Sequence, residues 1–349
     1  MKLYKVIGLM SGTSLDGLDI VFCKFWFDKG WQFEVLDATT VSYDTDLRNR
    51  LEVADRLSAR NLKMLDNELG SYFGKQVKLF IKDKYQPDFI ASHGHTIFHE
   101  PEKGYTLQIG NGANIAAESG VKTICDFRSV DVAMGGHGAP LVPIGDKLLF
   151  SEYSACLNLG GFSNISFEEG DKRIAYDICP VNIILNRLTK QFWSKEYDED
   201  GKIGTQGIIN FKVLEALNNL SYYQESGPKS LGKEWLEEHF IPILSEIKDP
   251  LEMMGTLYEH IAIQLAHQLK NHNGERVLIT GGGAKNKYLI KLLRLKSGKG
   301  LVVPEQTLID YKEALVFAYL GVLRMENEPN CLKSVTGAKK DSIGGTVYL

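Results

Sequence analysis

Long apolar runs and paired cysteines are the two features that this sequence most clearly lacks. No apolar stretch approaches the roughly 20 residues of a membrane-spanning helix, and the run from Val6 to Met10 is too short for the core of a signal peptide. Five cysteines are scattered without a CxxC pair, which indicates neither a zinc knuckle nor a disulfide framework. We therefore expect a soluble, cytoplasmic protein with reduced thiols.

A strong excess of basic charge is missing as well. The chain has 40 Lys and Arg against 44 Asp and Glu, a formal net charge of −4. Nucleic acid is therefore not expected as the main partner, and small molecules or proteins are the expected partners. At 349 residues the chain is about twice the usual domain size, and its 44% hydrophobic content can form two cores.

The stretch VIGLMSGTSLDGLDIVF, residues 6–22, predicts a β-hairpin with a polar connection. Its two apolar runs flank a turn that is too long and too polar for a tight hairpin. Glycines allow backbone N–H groups to approach a ligand closely, and successive N–H groups form an anion-binding nest. A phosphate is the expected guest, and a polar hairpin tip without a ligand is the alternative.

Alternating strands and helices along the chain predict an α/β fold. LNLGGFSNIS, residues 157–166, repeats the strand, glycine turn and strand of the opening, so two domains could each grip one nucleotide. The Gly- and Pro-rich stretch 129–143 suggests a boundary, giving domains 1–130 and 131–349, with the C-terminal tail free to return to the first. The second of two helices predicted after the opening strands shows core residues at helical spacing, with Ser58 as its cap: Leu62, Leu65, Leu69, Phe73, Val77 and Phe80.

Several further signals are weaker when taken alone. Gly281–Gly283 between a strand and a helix can face a ribose or a ring, or can be a tight turn. Residues 227–234 nearly match a P-loop, but Glu234 replaces the Mg²⁺-binding hydroxyl, so we interpret them as a surface loop. His93, His95 and His99 could hold a metal or simply donate hydrogen bonds. The carboxylates at strand ends or on the opening hairpin are candidates for a base or a Mg²⁺ ligand: Asp16, Asp19, Asp126 and Asp177.

GLMSGTSLDGLD, residues 8–19, strongly resembles the opening signature of the anhydro-N-acetylmuramic acid kinases. Further motifs follow in family order: SHGHTIFH, LQIGNGANIA, DFRSVDVAMGGHGAPLVP, LNLGGFSNIS, PKSLGKEW, GTLYEHIA, VLITGGGAKN, KEALVFA and SVTGA. The resemblance implies two ribonuclease-H-like domains of the actin, heat-shock-protein ATPase and hexokinase superfamily, with an interdomain cleft. It also implies a cytoplasmic enzyme of cell-wall amino-sugar recycling, and a homodimer.

The reaction that the resemblance implies uses ATP and Mg²⁺. It opens the 1,6-anhydro ring of anhydro-N-acetylmuramic acid with water and phosphorylates O6, giving N-acetylmuramic acid 6-phosphate. Asp177 matches the catalytic base, while Thr96, Arg128 and Glu313 match the sugar site, where Arg128 could bind the lactyl carboxylate. Asp16 or Asp177, through water, could hold Mg²⁺. The positions implied for nucleotide binding are Ser11, Gly12, Thr13, Ser14, Asp16, Gly160, Gly161, Gly281, Gly282 and Gly283.

This chain departs from the family pattern after the implied base. The family's Thr-Gly-Pro-Gly-Asn is here Ile178–Asn182, with Asn186 in place of an Asp, and His95 and Asn111 replace a Gln and an Asp. We expect Cys179 and Val181, which replace glycines, to narrow the approach of a ligand. A kinase of the same fold with another substrate and a nucleotide-binding pseudoenzyme are the alternatives.

Overall fold

A computed structural model describes residues 2–227, 229–270 and 274–349. It divides into two compact units, of which unit 1 comprises the residues up to Leu149 together with Tyr311–Leu349, and unit 2 comprises Phe150–Asp310. The boundary predicted between residues 130 and 131 differs from this division. The glycine-rich stretch is bonded within unit 1, since the His137 N–H donates to the Thr336 carbonyl at 2.8 Å.

The part of unit 1 before Leu149 begins with three strands, continues with helices, and adds three more strands. The strands are β1 (Leu3–Ser11), β2 (Gly17–Phe27), β3 (Trp31–Ser42), β4 (Phe89–Glu100), β5 (Tyr105–Ile109) and β6 (Thr123–Cys125). The helices are α1 (Thr45–Glu52), α2 (Ala59–Ile81), α3 (Gly112–Ser119), α4 (Ser129–Ala133) and α5 (Val142–Leu149). In α2, Ser58 caps the first turn by accepting from the Asn61 N–H, as predicted.

Unit 2 repeats the three-stranded opening and then inserts a group of helices. Its strands are β7 (Ala155–Leu159), β8 (Phe162–Glu169), β9 (Lys172–Pro180), β10 (Arg276–Thr280) and β11 (Gly300–Val302). Its helices are α6 (Asn182–Trp193), α7 (Phe211–Asn218), α8 (Lys233–Trp235), α9 (Ile241–Leu244), α10 (Pro250–Lys270) and α11 (Lys287–Ser297), with a π-helical turn at Leu236–Phe240. The chain then forms α12 (Gln306–Glu326), α13 (Lys333–Thr336) and β12 (Thr346–Tyr348).

The two sheets share one topology. In unit 1 the order is β3-β2-β1-β4-β6-β12, and β5 also pairs with β4. The first three strands are antiparallel, and β4 and β6 continue parallel to β1. In unit 2 the order β9-β8-β7-β10-β11 repeats this arrangement with the same directions. The predicted pair of ribonuclease-H-like folds is therefore confirmed.

Close packing of α12 on β1 depends on small side chains. Val6, Ile7 and Leu9 of β1 are fully buried, as expected of a central strand covered on both faces. A Cβ atom on Gly8 would lie 2.1 Å from the Ala314 carbonyl oxygen, so only glycine lets the helix approach the strand at this point. This contact fixes the position of α12 at Ala314, the residue that follows the predicted sugar-site residue Glu313.

Among the helices of the described residues, none combines the length and apolar character needed to cross a bilayer.

Candidate functional site

The turn between β1 and β2 presents free polar groups. The Leu15 N–H donates to the Gly12 carbonyl at 3.2 Å and closes the turn. Thr13, Ser14 and Asp16 are exposed, and in the described part of the chain their side chains have no hydrogen-bond partner. A Cβ atom on Gly12 would meet nothing closer than Ser14 Oγ at 3.5 Å, so the fold does not require glycine there.

Ser11 lies beside this turn, but its hydroxyl is already used. It is buried, accepts from the Tyr43 hydroxyl at 2.6 Å and is bonded to His95 Nδ1 at 3.0 Å. Burial lowers the pKa of His95 to about 4, so its ring is neutral. Any contribution of Ser11 to ligand binding would therefore come from its main chain. His95 holds the Ser11 side chain in place through their hydrogen bond.

No group of three or more His, Cys, Asp or Glu side chains that could hold a metal occurs within the described residues. The metal-site interpretation of His93, His95 and His99 therefore has no support.

Arg128 and Glu313, two of the residues predicted for the sugar site, both lie in unit 1. The Arg128 Nη1 donates to the Gly138 carbonyl at 2.6 Å, and Nε and Nη2 both face His93 Nε2. Burial lowers the pKa of Arg128 to about 10, and the negative charge of Glu313 opposes that shift. Glu313 is open to solvent, although the surrounding protein displaces enough water to raise the pKa of its carboxyl group.

Thr96, the third predicted sugar-site residue, lies on β4 next to an irregularity in the pairing with β5. The register shifts between Thr96 and Phe98, a distortion that often re-aims side chains near functional sites. Its hydroxyl accepts from Gln108 Nε2 at 3.4 Å, and the residue is half-buried. Thr96 is thus available as a polar contact of unit 1.

Asp177 lies near the end of β9 in unit 2, with one carboxylate oxygen held and the other free. Oδ2 accepts from the Leu231 N–H at 2.9 Å, whereas Oδ1 has no hydrogen-bond partner in the described ranges of the chain. Burial raises the pKa of Asp177, and the bond from Leu231 partly opposes the shift. A fixed carboxylate with a free oxygen and a raised pKa can accept a proton from a bound water.

The segment 229–231 was missed as a support for Asp177. Besides the Leu231 bond, the Asp177 N–H donates to the Lys229 carbonyl at 3.0 Å, and the Tyr222 hydroxyl donates to the Asp177 carbonyl at 2.7 Å. Apart from residue 228, which lies outside the described residues, the stretch 227–232 is a partly exposed loop before α8, as predicted, and it has the additional role of holding Asp177. The PKSLGKEW motif was the only sequence signal for this contact.

Two glycine turns of unit 2 meet at a pair of asparagines. The Asn182 N–H donates to the Gly160 carbonyl at 3.2 Å, and its Nδ2 donates to the Leu159 carbonyl at 2.9 Å. The same Nδ2 is the nearest atom to a Cβ placed on Gly282, at 3.5 Å. Asn158 also contacts both turns, since its Nδ2 would lie 3.2 Å from a Cβ placed on Gly160 and its Oδ1 2.4 Å from a Cβ placed on Gly281. The structure thus brings together the two predicted nucleotide turns of this unit.

The glycines of these turns differ in what the fold requires. Gly281 has a φ of +79°, and a Cβ on Gly283 would lie 2.8 Å from Leu159 Cβ, so both positions need glycine for local reasons. Gly161 and Gly282 are exposed, and their Cβ positions are clear to 3.7 Å and 3.5 Å. Close approach of a ligand would explain glycine at these two positions.

A cavity of about 520 Å³ in unit 2 adjoins the second glycine turn. It begins at Ala284 and Lys285, directly after Gly283, and combines apolar walls with basic groups. Its lining residues are Asp200, Ala284, Lys285, Lys287, Ile290, Arg294, Val303, Pro304, Gln306 and Ile309. A cavity of this size and mixed character can hold a small organic ligand.

The side chains of Cys179 and Val181 do not project toward a ligand, contrary to the expectation that they narrow its approach. Both side chains are fully buried and belong to the apolar core of unit 2. The Cys179 main chain is held by the Ser163 hydroxyl, which accepts from its N–H at 3.2 Å and donates to its carbonyl at 3.0 Å. Because these side chains point into the core, replacing the family's glycines changes packing beneath the site.

Comparisons with known proteins give the same family for nearly the whole chain. The profile of the family described as "Anhydro-N-acetylmuramic acid kinase" matches residues 4–349. A protein of that name from Hydrogenovibrio crunogenus is 34% identical over 99% of this chain and 98% of its own. Another from Pseudomonas putida is 35% identical over 100% of this chain and 99% of its own. The chain belongs to the anhydro-N-acetylmuramic acid kinase family.

Proposed function

We propose that this protein uses ATP to open the 1,6-anhydro ring of anhydro-N-acetylmuramic acid with water and to phosphorylate O6. The product is N-acetylmuramic acid 6-phosphate. The observation that carries the proposal is Asp177, a fixed and partly buried carboxylate with a free oxygen, in a chain that matches this kinase family over residues 4–349.

Asp177 acts as the base in the proposed reaction. Its free oxygen takes a proton from a water molecule, whose oxygen bonds to C1 of the sugar. The bond between C1 and O6 breaks, and O6 bonds to the γ-phosphorus of ATP, releasing ADP. A nearby carboxylate also stabilises positive charge that develops at C1. The bond from the Leu231 N–H keeps the carboxylate in one orientation during this step.

Arg128, Glu313 and Thr96 recognise the sugar. The guanidinium of Arg128 keeps its charge and has N–H groups left for the lactyl carboxylate, which can accept two parallel bonds. Glu313 is open to solvent and can accept from a sugar hydroxyl, while the Thr96 hydroxyl can donate or accept. These contacts would select a sugar that carries an acid group.

The nucleotide is bound by the glycine turns and by the free hydroxyls of Thr13 and Ser14. Glycine at positions 12, 161 and 282 is unexplained by packing and is consistent with phosphate oxygens approaching the backbone. The unpartnered, exposed Asp16 has the oxygen chemistry that suits Mg²⁺, and Asp177 could hold the ion through a water. When bound with ATP, Mg²⁺ neutralises charge on the phosphates.

We also propose a cytoplasmic location, where ATP is available, and a homodimer, on the strength of the family resemblance. Fractionation and sedimentation equilibrium test these two points independently of the reaction.

A mass-resolved product assay tests the reaction. The protein is incubated with ATP, Mg²⁺ and anhydro-N-acetylmuramic acid, and the expected product is heavier by one phosphate and one water. A gain of phosphate alone indicates ordinary hydroxyl phosphorylation and contradicts the proposal. Turnover of another sugar but not this one would mean a kinase of changed substrate, and tight ATP binding without sugar-stimulated hydrolysis would mean a pseudoenzyme.

The Asp177→Asn variant tests the base in the same assay. We expect turnover to fall about 10²- to 10⁴-fold, the range for loss of a general base, with ATP affinity nearly kept. Asp171→Asn, at the exposed tip between β8 and β9, is the matched control and should keep full activity. Unchanged turnover in Asp177→Asn would rule out the base.

A further inference from the structure

His93 is buried on β4 and contacts Arg128 directly. Its Nε2 lies 2.8 Å from Arg128 Nη2 and 3.1 Å from Nε, and its Nδ1 lies 3.0 Å from the Gly94 carbonyl oxygen. The ring also packs against Phe317, with the ring centroids 4.5 Å apart. The side chain is 6% exposed, so these neighbours define its surroundings.

The chemistry of these partners sets the proton on His93. An arginine side chain has donors only, so Nε2 must offer its lone pair, and the Gly94 carbonyl can only accept, so Nδ1 must carry the hydrogen. Burial, together with the charge of Arg128, lowers the pKa of His93 well below its usual value. The ring is therefore neutral and is present as the Nδ1–H tautomer.

The guanidinium of Arg128 is held from two sides. His93 takes Nε–H and one N–H of Nη2, while the Gly138 carbonyl takes one N–H of Nη1 at 2.6 Å. Of the five N–H bonds of an arginine, the two that remain are on Nη1 and Nη2. Two N–H groups on one planar cation suit a carboxylate.

The carbonyl on the other side is itself fixed by a buried carboxylate. The Gly138 N–H donates to Asp131 Oδ2 at 2.8 Å, and Oδ1 of Asp131 accepts from the Thr336 hydroxyl at 2.8 Å. Asp131 is fully buried. The group that contacts this edge of the guanidinium is therefore the neutral Gly138 carbonyl, and the Asp131 carboxylate bonds to the Gly138 N–H instead. An aspartate or glutamate bonded directly to the guanidinium would cancel the positive charge that a substrate anion needs.

We propose that His93 is a positioning residue that orients the Arg128 guanidinium for the carboxylate of the substrate while leaving its positive charge available. The inference rests on the proposed function insofar as the carboxylate is the lactyl group of the sugar. Its test must therefore separate recognition of the acid group from turnover in general.

The test compares two variants on two sugars. His93→Leu removes the acceptor, whereas His93→Gln can place an amide oxygen where Nε2 lies. We expect His93→Leu to raise KM for anhydro-N-acetylmuramic acid about 10- to 100-fold, the range for losing an oriented hydrogen bond to a charged group, with a smaller change in kcat. KM for the analogue without the lactyl group, 1,6-anhydro-N-acetylglucosamine, should stay unchanged. For His93→Gln, KM should lie within about threefold of the wild-type value on both sugars. A change of this size is smaller than the tenfold change that corresponds to about 1.4 kcal/mol.

Equal losses on both sugars, or a loss in His93→Gln as large as in His93→Leu, would assign His93 a purely structural role and overturn the proposal. Nitrogen-15 NMR of the ligand-free wild type gives a second readout that needs neither a variant nor turnover. The proposal requires His93 Nε2 without a proton and a slowly exchanging Arg128 Nε–H. A protonated Nε2 or a rapidly exchanging Nε–H overturns it even if the proposed reaction is not observed, whereas a failed product assay with these signals present overturns only the function.

Discussion

At Asp177, burial and hydrogen bonding act on one carboxyl group in opposite directions. Burial raises the pKa, and the bond from the Leu231 N–H stabilises the ionised form and lowers it, with burial the larger effect. A raised pKa makes the carboxylate a stronger proton acceptor, while the bond keeps the group oriented. A base that accepts a proton from water benefits from both effects.

The pH dependence of the reaction follows from this shift. Asp177 must be ionised to act, so kcat/KM should fall as the pH drops through its pKa, above the value of about 3.9 for an unperturbed aspartate. The check is a pH–rate profile with circular dichroism at each pH to confirm that the protein stays folded. A rate that stays flat down to about pH 4 contradicts the raised pKa of the base.

Single residues also show how far sequence reasoning reaches. Motifs were sufficient to propose which residues take part in the chemistry, but not to predict the hydrogen bonds of those residues. Ser11 is the clearest case, because a serine in a glycine-rich turn suggests a ligand contact, whereas its hydroxyl is occupied by Tyr43 and His95. Tyr43 directly follows β3 and His95 lies on β4, and no pattern in the sequence around Ser11 predicts either contact.

The turn that joins β10 to α11 contains two glycines that the fold requires and one that it does not. Gly281 and Gly283 are needed for the path of the chain, and Gly282 is not. The sequence shows three equivalent glycines, since the spacing alone carries no information about neighbouring strands. The difference between them gives an experiment with an internal control.

Gly282→Ala and Gly283→Ala should affect different properties, ATP binding in the first variant and stability in the second. Gly282→Ala should keep the thermal stability of the wild type, and we expect it to weaken ATP binding about 10- to 100-fold if a methyl group costs 1–3 kcal/mol against a phosphate. Gly283→Ala should lose about 1–3 kcal/mol of unfolding free energy through its contact with Leu159. Calorimetric ATP titration and denaturant unfolding measure both, and wild-type ATP affinity in Gly282→Ala would contradict the assignment.

At the scale of the whole molecule, the sequence predicted the duplicated fold better than the division of the chain. Repeated strand, glycine turn and strand patterns were sufficient for the two sheets, since each pattern is local. The boundary was not, because the glycine-rich stretch 129–143 has the composition of a linker yet is bonded to Thr336 near the other end of the chain. Such long-range contacts leave no signature in the stretch itself.

The central claim is that one reaction opens the anhydro bridge at C1 and transfers phosphate to the oxygen that is released. The proposed base Asp177 and two glycine turns lie in unit 2, and Arg128, Glu313 and the opening turn lie in unit 1. The fate of the bridging oxygen distinguishes this reaction from phosphorylation of another hydroxyl of the same sugar and from ring opening at C6.

The most direct measurement uses anhydro-N-acetylmuramic acid labelled with oxygen-18 at the bridge between C1 and C6. The labelled sugar is incubated with the protein, ATP and Mg²⁺, and the product is examined by phosphorus-31 NMR and mass spectrometry. We predict that the label forms the ester link between C6 and phosphorus, so that the phosphorus resonance shows an isotope shift. An unshifted resonance, with the label at C1 or the ring still closed, would contradict the account.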